Sequence, residues 1–509
     1  MNHWIVVPVV LPALMAPFIV LAMRHDLVLQ RVFSAVASVA LLGVAIGLLS
    51  QAASAPPQLY QLGNWAAPFG IVLVLDRLSA LMVLLTAILA VVVVIYAITS
   101  GWDSRGRHFH ALFQFQLMGI NGAFLTGDVF NLFVFFEVLL IASYGLMLHG
   151  GGAARMKAGV KYVVVNLGGS TLFLIAVGTL YGITGTLNMA DLAVKVPLVP
   201  EGDQALLRVG ALLLLLVFAV KAALVPVHFW LPGTYANASA PVAALFAIMT
   251  KVGAYSIIRV YTLAFGAGAG EDAWLAADWL LPAALVTLVV GVVGVLGAKE
   301  LTRLVCFSVI SSMGTLLTAI ALFTPAATTA ALFYLIHSTF AGAALFLLAD
   351  LIKERRGSAE GRLIVAPRFA QTGLLAVMFF LAAIGMAGMP PLTGFLGKLM
   401  VLDSARDADS MVTIWTLILV TSLLAMIGFS RAGSLIFWKS AAIPGPQDPA
   451  AATRPVLPIA AAGVMLAGMV GLAIFAGPVT GYLEATSAGL HDPVDYIRAV
   501  LGPDVTAAK

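Results

Sequence analysis

The sequence predicts an all-α integral membrane protein of about fourteen transmembrane helices. Hydrophobic residues fill 61% of the 509 positions and charged residues only 10%. Apolar runs of about 18 or more residues recur along the chain, each enough to cross roughly 30 Å of hydrocarbon. The runs are also continuous, as in Leu212 to Leu216, where strands of a membrane barrel would alternate. This excludes a soluble enzyme, and no basic tail is present to bind nucleic acid although the formal charge is +4.

Taken in order, the spans lie near 4–23, 32–50, 77–99, 109–126, 129–149, 158–183, 206–226, 239–262, 274–297, 302–323, 327–350, 370–397, 411–437 and 457–477. The first follows no basic segment, so it is expected to be a retained helix and not a cleaved signal. In span 9, Gly291, Gly294 and Gly297 recur every three residues and should let another backbone approach closely. Cys306 cannot pair within the chain or hold a cluster alone, and the Gly266–Glu271 loop lacks the spacing of a phosphate-binding turn. No cofactor and no metal site is expected.

Orientation follows from Lys and Arg, which are retained on the cytoplasmic side. Loops after odd-numbered spans carry Arg24 and Arg31; Arg105 and Arg107; Arg155, Lys157 and Lys161; Lys299 and Arg303; Lys353, Arg355, Arg356, Arg362 and Arg368; and Arg431, Lys439 and Arg454. Span 7 is the exception. Loops after even spans are neutral or acidic, as at Glu201 and Asp203 or at Asp403, Asp407 and Asp409. The chain is therefore expected to cross a bacterial inner (plasma) membrane many times, with both termini on the outer side.

Two stretches place proline near lysine inside apolar runs: Val220-Lys-Ala-Ala-Leu-Val-Pro-Val-His-Phe-Trp-Leu-Pro232 and Gly385-Met-Ala-Gly-Met-Pro-Pro-Leu-Thr-Gly-Phe-Leu-Gly-Lys398. Pro226, Pro390 and Pro391 cannot donate to a helix, and the ring of Pro226 would crowd the Ala222 carbonyl. Broken helices persist in a membrane where protein or a watery cavity satisfies their carbonyls, so a pair of them points to an ion path between repeated halves. The halves are spans 4 to 8 and 9 to 13. Five helices each makes the repeats inverted. The predicted units are 1–108 (helices 1 to 3), 109–262 and 263–437 (the repeats), and 438–509 (helix 14 and tail).

A lysine at mid-membrane disfavours insertion by about 2.5 to 3.5 kcal/mol, so each buried charge needs a reason. Glu137, Lys221, Lys251, His337 and Lys398 are such positions. Lys251 lies two turns from Arg259, about 12 Å, too far to snorkel easily. Asp128 lies on the other face from Glu137 and belongs at the membrane edge, so Glu137 needs a cation from another helix. His337 suits either a buried neutral imidazole or a proton relay, and His228 after the first break suits either structure or a cavity lining. A Glu and Lys pair in low dielectric can switch the amine between holding and releasing a proton, and Lys and His joined by water can pass it along the bundle.

These residues resemble the antiporter-like subunits shared by respiratory complex I and the Mrp-type (Pha or Mnh) monovalent cation/proton antiporters, over nearly the whole chain. The segments that carry the resemblance are Gly127-Asp-Val-Phe-Asn-Leu-Phe-Val-Phe-Phe-Glu-Val-Leu-Leu140, Lys221-Ala-Ala-Leu-Val-Pro-Val-His-Phe-Trp-Leu-Pro232, Ala238-Ser-Ala-Pro-Val-Ala-Ala244 and Lys251-Val-Gly-Ala-Tyr255. The resemblance implies fourteen helices in two inverted repeats, Glu137 paired with Lys221, Lys251 as the central lysine, His337 on the relay and Lys398 at the exit-side half-channel. Wording and length are most similar to Mrp D-type subunits. The chain departs from some members at Ala341, where they carry a lysine. About 30 residues follow span 14, too few for the lateral helix of complex I's terminal subunit. The implied function is proton translocation within a multisubunit Na+ or K+/proton antiporter, with other membrane subunits as partners. The alternative is a proton-pumping subunit of an NADH:quinone oxidoreductase or a related hydrogenase complex, driven by redox chains elsewhere. A purely structural scaffold conflicts with the buried charges.

Overall fold

A computed structural model of the chain describes residues 2–442 and 456–503. Each of the fourteen apolar stretches is helical. They are α1 (Val7–Ala22), α2 (Leu27–Ser54), α3 (Arg77–Ser100), α4 (Phe109–Leu125), α5 (Val129–Leu148), α6 (Ala153–Thr184), α8 (Glu201–Ala222), α10 (Ala240–Leu263), α11 (Ala277–Gly297), α12 (Leu301–Ala321), α13 (Pro325–Arg355), α14 (Thr372–Ala387), α16 (Met411–Gly433) and α17 (Leu457–Ile474). Eleven of the helical runs are long and apolar enough to cross a membrane, and α1 and α14 are shorter apolar helices. The remaining one, α4, carries His110, Gln114, Gln116 and Asn121 among its buried residues. Arg454 of the last basic loop lies outside the described residues.

Shorter helices stand beside these: α7 (Met189–Lys195), α9 (Trp230–Asn237), α15 (Thr393–Ser404) and, after α17, the pair α18 (Ala476–His491) and α19 (Val494–Leu501). The expected tail is thus structured. Ser487 Oγ donates to the Pro325 carbonyl at 2.7 Å and Tyr482 Oη to that of Arg77 at 2.8 Å, which fastens α18 over the starts of α13 and α3. A hairpin of β1 (Gln58–Gln61) and β2 (Val72–Leu75) covers the same end, paired Gln58 to Leu75. Neither feature is legible as a span, because each is short and gains its order by covering helix ends.

Both proline breaks form, and both have the same shape. The first helix ends at Ala222, Ala223 turns left-handed (φ 56°), the Val225–Pro226 bond is cis, and a single 3₁₀ turn at Val227–Phe229 leads into α9. The second ends at Ala387, Gly388 turns left-handed (φ 83°), Pro390–Pro391 is cis, and α15 follows. Span 12 is therefore two helices and not the one run drawn from 370 to 397. The Val220 carbonyl accepts from the Ala223 amide at 3.2 Å and from the Trp230 indole at 2.9 Å, and Lys398 Nζ donates to the Ala387 carbonyl at 2.9 Å. Each carbonyl is satisfied by protein, as an apolar surrounding requires.

Two hairpins of helices repeat one set of contacts. A Cβ at Gly119 would lie 2.5 Å from the backbone N of Leu139, and one at Gly122 would strike the Phe135 ring, which brings α4 onto α5. In α11 a Cβ at Gly291 would lie 2.3 Å from the backbone N of Ser311 and one at Gly294 would strike Phe307 of α12. The sequence offsets of the two sets are the same. The links match too: Asp128 bridges to Asn188 at the hairpin end, and Glu300 bridges to Arg362 at the opposite, basic end. Gly297 differs from expectation, because nothing lies within 4 Å of the position its Cβ would take.

Overpacking a filled contact destabilises by about 1–3 kcal/mol. Gly294→Leu is therefore expected to lower the protein in the membrane several-fold, and Gly297→Leu to leave it near normal, as read by quantitative blotting. Equal amounts of the two variants would contradict the packing described.

Candidate functional site

The five groups, four of them buried and Glu137 partly so, fall into two clusters with one isolated lysine between them. In the first, α5 presents Glu137, α6 presents Asn166 and Ser170, and α8 presents Lys221 near its end. Lys221 is 6% exposed, and its ammonium donates to Asn166 Oδ1 at 2.9 Å and lies 5.7 Å from the centre of the Phe136 ring. Glu137 accepts a hydrogen bond from Ser170 Oγ. No ion pair within 4.0 Å joins Glu137 to Lys221 among the described residues. Instead of a direct pair, each charge meets a different residue of α6, Lys221 at Asn166 and Glu137 at Ser170, and the Asn166 amide nitrogen donates to the Tyr162 carbonyl at 2.8 Å. Asn166 and Ser170 are four residues apart and share one face of that helix. A neutral amide thus meets the ammonium and a hydroxyl meets the carboxylate.

The second cluster surrounds the break between α14 and α15. His337 of α13 is fully buried, and its Nδ1 shares a hydrogen bond with Thr393 Oγ1 at 2.8 Å. Its Nε2 has no partner and faces the break, where a Cβ at Gly394 would lie 2.8 Å away. Lys398 donates to the Ala387 carbonyl and, at 2.7 Å, to Ser422 Oγ of α16. A cation at the C-terminus of a helix lies where the macrodipole is negative, which stabilises it there.

Lys251 stands between the two. It is 1% exposed on α10, a helix buried along its whole length, and both Lys251 and Lys398 act electrostatically on His337. No hydrogen bond or ion pair to protein reaches its ammonium among the described residues. Close approach of α10 to α8 depends on Gly253, whose Cβ would lie 2.6 Å from the Ala222 backbone N. This places the lysines of both helices on adjoining backbones.

His228 is half-buried after the first break with Nδ1 unpartnered, and no hydrogen bond ties it to the Glu137 and Lys221 group. Pro226 is exposed beside it. The neutral partners Asn166, Ser170, Thr393 and Ser422 were not singled out in the sequence, although the four-residue spacing of Asn166 and Ser170 in an apolar run is a visible signal. Arg259, named in the sequence only for its distance from Lys251, is itself buried and makes two hydrogen bonds to Asp76, of 2.6 and 2.8 Å, tying α10 to the start of α3. Among the described residues no group of three or more His, Cys, Asp or Glu is placed to hold a metal.

Residues 126–428 match a family model described as NADH:quinone oxidoreductase/Mrp antiporter, transmembrane. The chain is 40% identical to the D subunit of a probable K(+)/H(+) antiporter of Rhizobium meliloti (strain 1021), over 98% of each chain. It is 39% identical to the D subunit of a Na(+)/H(+) antiporter of Bacillus subtilis (strain 168), over 98% of this chain and all of that one. Among solved structures it is similar to a chain of the Mrp complex from Dietzia sp. DQ12-45-1b, with a TM-score of 0.85 and 29% identity over 99% of this chain and all of the other. The chain therefore belongs to the transmembrane family shared by NADH:quinone oxidoreductases and Mrp antiporters.

Proposed function

We propose that this chain is the D-type, proton-translocating subunit of a multisubunit monovalent cation/proton antiporter. The full-length likeness to two chains named as antiporter D subunits supports the transport class, and such chains are transporter subunits rather than enzymes. The observation that carries the mechanism is Lys251, buried and without a protein partner between two polar clusters. A lysine so placed exchanges its proton with water and is biased by any change of charge on either side. Protons would pass among Glu137, Lys221, Lys251, His337 and Lys398, with Asn166 and Ser170 setting the first step. The two units 109–262 and 263–437 would act as inverted repeats, between 1–108 and 438–509. The basic end would face the cytoplasm of a bacterial plasma membrane, by the distribution of Lys and Arg.

Three measurements test this reading. Lys221→Arg keeps a cation able to bond Asn166 but holds its proton at any working pH. Antiport, read as Na+- or K+-dependent collapse of a pH gradient in vesicles holding the whole complex, is expected to fall by about tenfold or more with assembly intact. Wild-type antiport in Lys221→Arg or Lys221→Ala would return the lysine to a structural role. Asn166→Leu, which strips Lys221 of its acceptor at about 1–3 kcal/mol, is expected to impair antiport as well. For orientation, a cytoplasmic reporter is expected to be active at Arg362 and silent at Asp407, and the opposite pattern would invert the topology.

A further inference from the structure

Among the described residues, four carboxylates are less than a tenth exposed: Asp103, Asp191, Asp272 and Asp350. The first three each have a basic partner, Arg31, Lys195 and Arg208 respectively. Asp350 has none within salt-bridge distance among the described residues, and no role so far. It sits in α13, a little over one turn from the end of the helix, and its Oδ2 accepts hydrogen bonds from Tyr96 Oη and Trp102 Nε1, both 2.8 Å long. Both donors are neutral and both use the same oxygen.

The carboxylate lines a cavity of about 310 Å³ at the basic end, together with Trp102, Asn237, Ala243 and Thr302. Exposed Gly152 and Lys353 form its rim, so the cavity reaches the surface. Ala243 is two turns from Lys251 on the buried α10, about 12 Å. The charged and titratable groups that face Asp350 come from every neighbouring element. Tyr96 lies on α3, Arg105 follows it and pairs with Glu354 at 3.2 Å, Arg155 starts α6, and Lys353, Glu354 and Arg355 end α13. Arg105 stacks on the Trp102 ring at 3.7 Å, and Arg155 is held by the carbonyls of His149 and Asn237. Neither is turned to the carboxylate as a partner.

We propose that Asp350 is the carboxylate through which this subunit exchanges protons with water on its basic side, in a vestibule that leads toward Lys251. This rests on the proton-transport reading above. A proton suits the place better than an alkali ion, since Arg155 and Lys353 on the walls repel a second cation, whereas protonation removes a buried negative charge that has no basic partner. The step is a proton transfer alone: a hydronium in the vestibule gives H+ to a carboxylate oxygen, and the carboxyl later gives it up to water nearer Lys251. A competing account makes Asp350 a mere anchor for Tyr96 and Trp102. Asparagine separates the two, because its carbonyl oxygen still accepts both hydrogen bonds and cannot carry the proton.

The test uses the whole complex in inside-out membrane vesicles, with blotting for assembly. Wild-type antiport must first be present, and its absence would count against the functional reading rather than against Asp350. Asp350→Asn is expected to lower antiport about tenfold or more, and Asp350→Glu to recover a large part of it with a displaced pH profile. Wild-type rate and profile in Asp350→Asn overturn the proposal. Loss in both variants with normal assembly also overturns it, in favour of fixed geometry at Tyr96 and Trp102. Should Asp350→Asn fail to assemble, Ala243→Cys in a Cys306→Ser background decides. Labelling by a membrane-impermeant thiol reagent is expected from the cytoplasmic face only, and no labelling, or labelling only from outside, overturns the vestibule.

Discussion

Removing an ammonium or a backbone carbonyl from water is the expense around which this molecule is arranged, and most of its interior cations answer it locally, Lys251 being the exception described above. Lys221 leans on an amide, Lys398 on a carbonyl and a hydroxyl, and Arg259 on a carboxylate. These are different solutions with different consequences. The Arg259 and Asp76 pair is bidentate and locks α10 to α3, because a guanidinium keeps its charge and suits a carboxylate fork. The lysines instead meet neutral acceptors, which hold an amine whether or not it carries its extra proton. One helix thus carries two kinds of cation, Arg259 paired with a carboxylate near one end of α10 and Lys251 without a protein partner at its middle.

The helix breaks connect this electrostatics to the backbone. A helix that stops at Ala222 or Ala387 leaves carbonyls that need donors, and in the second case the donor is a member of the charged row itself. Lys398 is therefore tied directly to the α14 terminus. In the first break an indole does the same work, leaving Lys221 free to bond α6. The two breaks share a shape and differ in which residue closes them.

Much of this was legible in one sequence. Continuous apolar runs located the helices, proline beside lysine located the breaks, and the insertion cost singled out the charges. What escaped has a common physical reason. The hairpin at Gln58–Leu75 and α18 lie against helix ends, and local periodicity carries little of that; α19 has an apolar face at Tyr496, Ile497 and Val500 but is too short to read as a span. The sequence pairs Glu137 with Lys221 directly, whereas each bonds a different residue of α6, since a sequence shows which charges need partners and not which neutral side chain supplies them. Asp350 was not singled out in the sequence at all. Only the fold reveals that Tyr96 and Trp102, far away in the chain, cover it.

The matched contacts of α4 with α5 and of α11 with α12 have a consequence for direction. By the shared offsets, the place that Glu137 holds in α5 is held in α12 by Val309, a buried aliphatic residue. Two copies of one scaffold set head to tail would look alike from either side of a membrane, and a ratchet built from them would have no preferred sense. Here the symmetry is broken by chemistry on a common frame: one copy presents an acid and the other a hydrocarbon. The difference between the two hairpins thus lies in a side chain and not in the path of a helix.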